Sequence, residues 1–162
     1  MKLYGICLSP YVRKVAVVIN VKGLECERED AFPGSLSRAI SPLGKIPALQ
    51  DGALTLADSS VICEYLEEIH PEPQLLPGSA RDRATVRGMA MVVACDTHPL
   101  NNLPIMGYLR HEFGADDVAV NRWVAHWIGR GFSGLERWVG SIPGAPVEVG
   151  QQRFCLFGSS VL

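Results

Sequence analysis

Ser41-Pro42-Leu43-Gly44-Lys45-Ile46-Pro47-Ala48-Leu49, continued by Gln50-Asp51-Gly52-Ala53 and then Leu54-Thr55-Leu56-Ala57-Asp58-Ser59-Ser60, is the stretch on which the fold turns. Two short apolar runs, residues 46–50 and 53–56, flank Asp51-Gly52, the strongest short hairpin signal in the chain. Pro47 forfeits a backbone donor, so it fits only the start or the edge of a strand. If the Ile46-Pro47 bond is cis, the Ile46 N–H and C=O face outward, ready to pair with an extended peptide. If it is trans, this is a plain strand start. Asp58-Ser59-Ser60 opens a helix with Ile62, Tyr65, Leu66 and Ile69 on one face, ending before Pro71. Free N–H groups and a hydroxyl at a helix N-terminus suit a carboxylate, although such residues also serve as simple caps.

Upstream, residues 2–6 read as a short strand. Pro10 fits the first helical position with Ser9 as N-cap; Val12, Val15, Ala16 and Ile19 follow at helical spacing, and Gly23 stops the run. Residues 24–29 read as a second strand, and 32–42 as a loop with a helical turn at 36–40. The order β-α-β-α-β-β-α is a thioredoxin-like α/β layout.

Downstream, the proline-rich residues 72–79 read as a linker between domains 1–71 and 80–162. The second domain is expected to be all-helical. Val86, Met89, Ala90 and Val93 make one face, and Val120, Val124, Trp127, Ile128, Gly131, Leu135 and Trp138 make another. His98 to Asn102 interrupts the first run with polar residues and a proline.

With 162 residues, 48% apolar and 20% charged, the chain reads as one ordinary globular domain or two small ones. A net charge of −2 gives no bulk attraction to nucleic acid or to an anionic membrane. Apolar stretches such as 15–19 are too short to cross a bilayer, and Pro10, Arg13 and Lys14 interrupt any signal-peptide core. A cytoplasmic location is expected. The five cysteines are scattered without a Cys-x-x-Cys pair, which argues against a disulfide framework or a zinc site. Most read as small buried residues.

A bound thiol has a pKa of about 8.5 and needs stabilising as thiolate at neutral pH. A hydroxyl at the positive end of the first helix can donate to the sulfur, and Ser9 suits this. Cys7 could instead form a mixed disulfide. Otherwise Ser9 is only a cap and Cys7 only a strand-end residue.

Ser9-Pro10-Tyr11, the stretch Ser41 to Leu49 and the run Leu56-Ala57-Asp58-Ser59-Ser60-Val61-Ile62-Cys63-Glu64-Tyr65-Leu66 together resemble the glutathione-binding domain of cytosolic glutathione transferases. The resemblance implies that Pro47 is cis and that the Ile46 main chain pairs with glutathione. It implies that Ser59 holds the γ-glutamyl carboxylate while Asp58 assists with the amine. Lys45 is either a partner for the glycyl carboxylate or a solvated turn residue. Serine classes place their hydroxyl at or just before this spot, and cysteine classes place a thiol directly before the proline, where this chain has Ser9. Ser9 is favoured over Cys7 on the helix-end argument.

The helical half is similar to the zeta class, the maleylacetoacetate and maleylpyruvate isomerases. The stretches that carry this are Ala94-Cys95-Asp96-Thr97-His98-Pro99-Leu100-Asn101-Asn102-Leu103 and His126-Trp127-Ile128-Gly129-Arg130-Gly131-Phe132. The resemblance implies that His98 and Asn102 face glutathione and the substrate groove. It also implies that the protein is a homodimer and that its substrate is a small electrophile or unsaturated diacid. Two departures stand out: Pro104 occupies the place of an expected arginine, and Leu3-Tyr4-Gly5-Ile6-Cys7 lacks the one before the catalytic loop. Arg153-Phe154-Cys155 resembles the lead-in to a further helix, so the helical domain is expected to be short relative to the family. The primary expectation is a glutathione-dependent transferase or isomerase. The alternatives are a non-catalytic member that binds glutathione or a partner, and a Cys7-based disulfide reductase, for which no resolving cysteine is near.

Overall fold

The structure, a computed structural model, describes residues 1–141, so Cys155 and the helix lead-in around it lie outside the described residues. Strand β1 is Lys2–Tyr4. It ends two residues earlier than expected because Gly5 turns out of it at φ 145°, where a Cβ would lie 2.4 Å from Val12 Cγ2. Helix α1, Pro10–Val21, buries Val12, Val15, Val18 and Ile19 against the sheet. Strand β2, Glu27–Glu29, is an exposed edge paired parallel to β1. Leu24 and Cys26, expected within that strand, lie before it and pack on the core.

No second helix follows β2. The Ile40 and Ser41 N–H groups both donate to Ser37 O, at 3.0 and 2.9 Å, forming one isolated turn. Pro33 and Pro42 bracket too few residues for anything longer. Strands β3, Ala48–Asp51, and β4, Leu54–Ala57, form the hairpin. The pairing Asp51↔Leu54 makes Gly52-Ala53 its loop, with Gly52 at φ 57°. Asp51 is therefore the last strand residue, and its Oδ2 accepts from the Tyr65 hydroxyl at 2.8 Å. The sheet order is β2-β1-β3-β4 with β3 antiparallel to both neighbours.

Helix α2, Ser59–Ile69, covers the sheet beside α1. Its buried face is Ser59, Ile62, Cys63 and Leu66; Ile69, expected inside, is 42% exposed. Leu3, Val15, Val18, Ile19, Leu49, Ile62 and Leu66 form the centre of one core. Residues 72–79 do not hang free of it. Leu75 and Leu76 are buried there, and their N–H groups both donate to Glu67 Oε1 at 2.9 Å. Lys22 Nζ, with its side chain fully buried, lies 2.7 Å from Glu67 Oε2 and donates to the carbonyls of His70 and Pro73.

The rest is helical. Helix α3, Ala80–Met91, is capped by Ser79 and joined to α2 by the two-pronged Arg87–Glu64 ion pair. It passes into a π-helical segment, Val92–Thr97, and a 3₁₀ turn, His98–Asn101. Helix α4, Leu103–Phe113, was not anticipated from periodicity, yet its signals are in the sequence: Asn102 caps it, Pro104 sits in its first turn and Gly114 ends it at φ 63°. Helix α5 is Asp117–Gly140. Of its expected apolar face only Val120 and Leu135 are buried among the described residues. Among the described residues no helix is long and apolar enough to cross a membrane.

Candidate functional site

The sheet register brings three chain segments to one end of the α/β half. Tyr4 pairs with Ala48, and Ala48 pairs with Ala57. The chain leaving β1, the Ile46-Pro47 step entering β3 and Asp58 leaving β4 therefore lie side by side. Gly5 makes the closeness possible, since its missing Cβ would stand 3.5 Å from Ile46 Cβ. The N-termini of α1 and α2 open at this same end.

Each segment offers unused polar groups. The Ile46-Pro47 bond is cis, and among the described residues no hydrogen bond engages the Ile46 N–H or C=O. Ser59 is buried, and no group among the described residues pairs with its hydroxyl. Asp58 does the capping: at φ 80° its Oδ1 accepts from the Ser60 and Val61 N–H groups, at 2.8 and 3.4 Å. That division leaves Ser59 free for a ligand. Ser9 caps α1 through Val12 N–H at a long 3.5 Å, and its own O–H proton has no acceptor among the described residues. Cys7 is exposed. Lys45 is exposed on the approach to Ile46, its carbonyl accepting from Ser41 Oγ at 2.8 Å.

The helical half meets this groove through His98. Its ring lies 4.2 Å from that of Tyr11, centroid to centroid, tilted by 53°. Its Nδ1 is buried and pairs with nothing among the described residues. Burial first, and the nearby Lys14 charge last, hold its pKa below the usual 6.5, so the ring is neutral at pH 7. Asn102 is committed differently: its Oδ1 accepts from Ile105 N–H at 3.1 Å as the cap of α4.

Sequence reasoning missed Tyr11 and Lys14, which stand between the two halves. Burial, with the charges of Asp58 and Cys95 behind it, pushes the Tyr11 hydroxyl up to about 12. It is a neutral donor at any physiological pH. Lys14 is 4% exposed; its Nζ donates to Ser60 Oγ at 3.1 Å and lies 6.0 Å from the Tyr11 ring centre. The signal for Lys14 was present as a cation at the i+4 position from Pro10, but helical spacing alone gave no reason to expect it inside. Cysteines were expected to be mostly buried. Among those described only Cys63 is, and burial pushes its thiol up to about 12.

An end of a sheet where two helix N-termini and an unpaired strand start converge can hold an extended, doubly anionic peptide. Ser9 adds a hydroxyl donor at the N-terminus of α1. Glutathione fits these groups, since Ser59 and Ile46 present unsatisfied atoms of the right kind.

Known proteins share the fold. Residues 3–74 match the model of the glutathione S-transferase N-terminal domain. A maleylpyruvate isomerase of Ralstonia sp is 40% identical over 147 residues, 84% of this chain and 67% of that protein. The holo structure of maleyl pyruvate isomerase, described as a bacterial glutathione-s-transferase in zeta class, superposes with a TM-score of 0.85 at 37% identity. It covers 99% of this chain and 75% of that one. A maleylacetoacetate isomerase of Methylobacterium extorquens AM1, solved with bound malonate and glutathione, gives 0.83 at 32% identity, covering 99% and 75%. The chain thus spans about two thirds to three quarters of the length of these relatives.

Proposed function

We infer the function of this chain from its kinship: it belongs to the glutathione S-transferase family. It is a glutathione-dependent enzyme of the zeta branch that activates the bound thiol for cis–trans isomerisation of a small unsaturated diacid, or for conjugation of a related electrophile. In this reading residues 1–71 form the glutathione-binding domain, 72–79 the connection and 80–162 the helical domain. A homodimer in the cytoplasm goes with it.

The observation that carries the reading is the convergence of unpaired groups on Ile46, Ser59 and Ser9 at one end of the sheet. Ile46 aligns the peptide by two main-chain hydrogen bonds, with Pro47 behind it. Ser59, through its hydroxyl and its own N–H, takes the γ-glutamyl carboxylate, and exposed Asp58, whose Oδ1 caps Ser60 and Val61, takes the ammonium. Lys45 is placed for the glycyl carboxylate. When bound, glutathione supplies a thiolate that adds reversibly to the conjugated double bond and is later expelled, after rotation about the bond made single.

This chain's residues make that nucleophile available at neutral pH. Ser9 O–H donates toward the sulfur, and the positive end of α1 favours its anionic form. Cys7, exposed and two residues upstream, has no such helix end behind it. Neutral His98, fixed against Tyr11, closes the groove from the helical side and presents imidazole rather than imidazolium to the ligand. Asn102 positions the first turn of α4 beside it.

The test is retention on glutathione-agarose followed by isomerisation of maleylpyruvate with and without added glutathione. Retention and strictly glutathione-dependent turnover are expected, with turnover falling sharply in Ser9→Ala and little in Cys7→Ala. Absence of retention would overturn the reading.

A further inference from the structure

Lys14 is the one group in the groove whose placement the binding reading does not yet use. Its ammonium is buried under the N-terminus of α2, and its hydrogen-bond partner is a neutral hydroxyl, Ser60 Oγ at 3.1 Å. Among the described residues no carboxylate lies within ion-pair distance of it. Contrast Lys22, equally buried, which has Glu67 at 2.7 Å. A buried cation without a carboxylate is costly, and proteins keep one where something else supplies the negative charge. Ser60 directly follows Ser59, the residue whose unpaired hydroxyl faces the carboxylate position in the reading above.

We propose that Lys14 is a positioning residue for glutathione: a buried cation beneath the start of α2 whose counter-charge is the γ-glutamyl carboxylate of the ligand. The inference rests on the glutathione reading and deepens it. Lys14 acts through Ser60, which it holds in place, and through its field on the anion at the neighbouring Ser59. The groups that face it are Tyr11 on its own helix, Asp58 and Cys63 from α2 and its cap, and Cys95 and His98 from the helical half. Of these Asp58 is the only carboxylate, and it is already turned to the Ser60 and Val61 N–H groups. Desolvation lowers the Lys14 pKa from 10.5 in the free protein, and an anion bound beside it favours the charged form again. Ligand binding is therefore linked to proton uptake at alkaline pH, and affinity falls as Lys14 loses its proton.

The experiment uses the full chain and S-methylglutathione, which keeps the carboxylates but has no ionisable thiol. Dissociation constants are measured by calorimetry from pH 7 to 10 for the parent, Lys14→Met and Lys14→Arg, beside the ligand-free melting temperature of each. The ligand's own ammonium titrates equally in all three and cancels in the comparison. At pH 7, Lys14→Met is expected to bind roughly tenfold more weakly, while its ligand-free melting temperature stays equal or rises, because methionine fills the site without a charge. A merely structural lysine would lose stability and affinity together. Lys14→Arg is expected to bind like the parent at pH 7 but to lack the parent's extra alkaline decline, since arginine keeps its proton. This variant tests the linkage even if Lys14→Met fails to fold. Parent-like affinity in Lys14→Met, or a parent-like alkaline limb in Lys14→Arg, overturns the proposal and leaves the glutathione reading standing. Failure of the parent to bind either glutathione or S-methylglutathione overturns both.

Discussion

In the α/β half, Ser9, Ile46 and Ser59 are set by a sheet register that runs from Tyr4 through Ala48 to Ala57. In the helical half, His98 is set by a π-helical segment that Thr97 pins by donating to Val92 O at 2.9 Å. The first arrangement is built from ladder hydrogen bonds and a continuous core. The second depends on one close approach, since a Cβ on Gly131 would meet Thr97 Oγ1 at 2.1 Å. In the proposed reading, a ligand between them has main-chain partners on one side and the single His98 ring, packed on Tyr11, on the other. Binding of glutathione should therefore tolerate damage to the helical half better than damage to the α/β half.

The most damaging way to break that contrast is at Lys22. Its buried pair with Glu67 ties α1 to α2, and through Leu75 and Leu76 to the chain entering the helical half. Lys22→Met leaves the buried Glu67 carboxylate without its cation, Oε1 still held by the Leu75 and Leu76 N–H groups but Oε2 unpaired, and should cost about 3 kcal/mol of stability in urea denaturation. A change under about 1 kcal/mol would mean that Glu67 finds water instead. Gly131→Ala is the matching lesion on the other side. It should cost about 1–3 kcal/mol by overpacking against Thr97 and shift the His98–Tyr11 contact, seen as changed imidazole resonances by NMR. If glutathione affinity then collapsed rather than fell by a small factor, the helical half would be a full partner in binding. Ser59→Ala sharpens the comparison from within the groove. Because Asp58 rather than Ser59 caps α2, stability should be unchanged, while glutathione binding weakens by about 1–1.5 kcal/mol, near tenfold. A stability loss without an affinity loss would return Ser59 to a packing role.

How much of this was legible beforehand follows the same division. Ser9 with Pro10, the Asp51-Gly52 signal and Asp58 with Ser59 are local rules, and they located the start of α1, the hairpin and the start of α2 to within a residue or two. The helical half obeyed rules that periodicity cannot see. A π-helical segment shifts every later side chain by about one position relative to α-helical spacing, so the apolar face of 86, 89, 90 and 93 gave no hint that His98 would reach Tyr11. Helix α4 has no periodic signature because its caps, Asn102 and Gly114, frame a weakly amphipathic run. Lys14 was invisible for another reason. Its burial comes from α2 lying across α1, a tertiary fact with no local signature, and charge is ordinarily an argument for the surface.

The smallest expected effect comes from His98 itself. Its folded pKa lies below 6.5 because burial disfavours the imidazolium. In the unfolded chain the ring takes up its proton near 6.5, so between that value and the folded pKa the unfolded state holds more protons. The stability this residue allows is full above pH 6.5 and is lost as pH falls through the folded pKa. Paired urea titrations at pH 7.5 and 5.5 should therefore show a larger acid loss in the parent than in His98→Gln, which has nothing to titrate there. Equal losses would mean that the ring charges freely, and so is open to water rather than held against Tyr11. The helical half would then contribute no fixed wall to the groove, and the contrast between register and wedge would become one between a built surface and a mobile one.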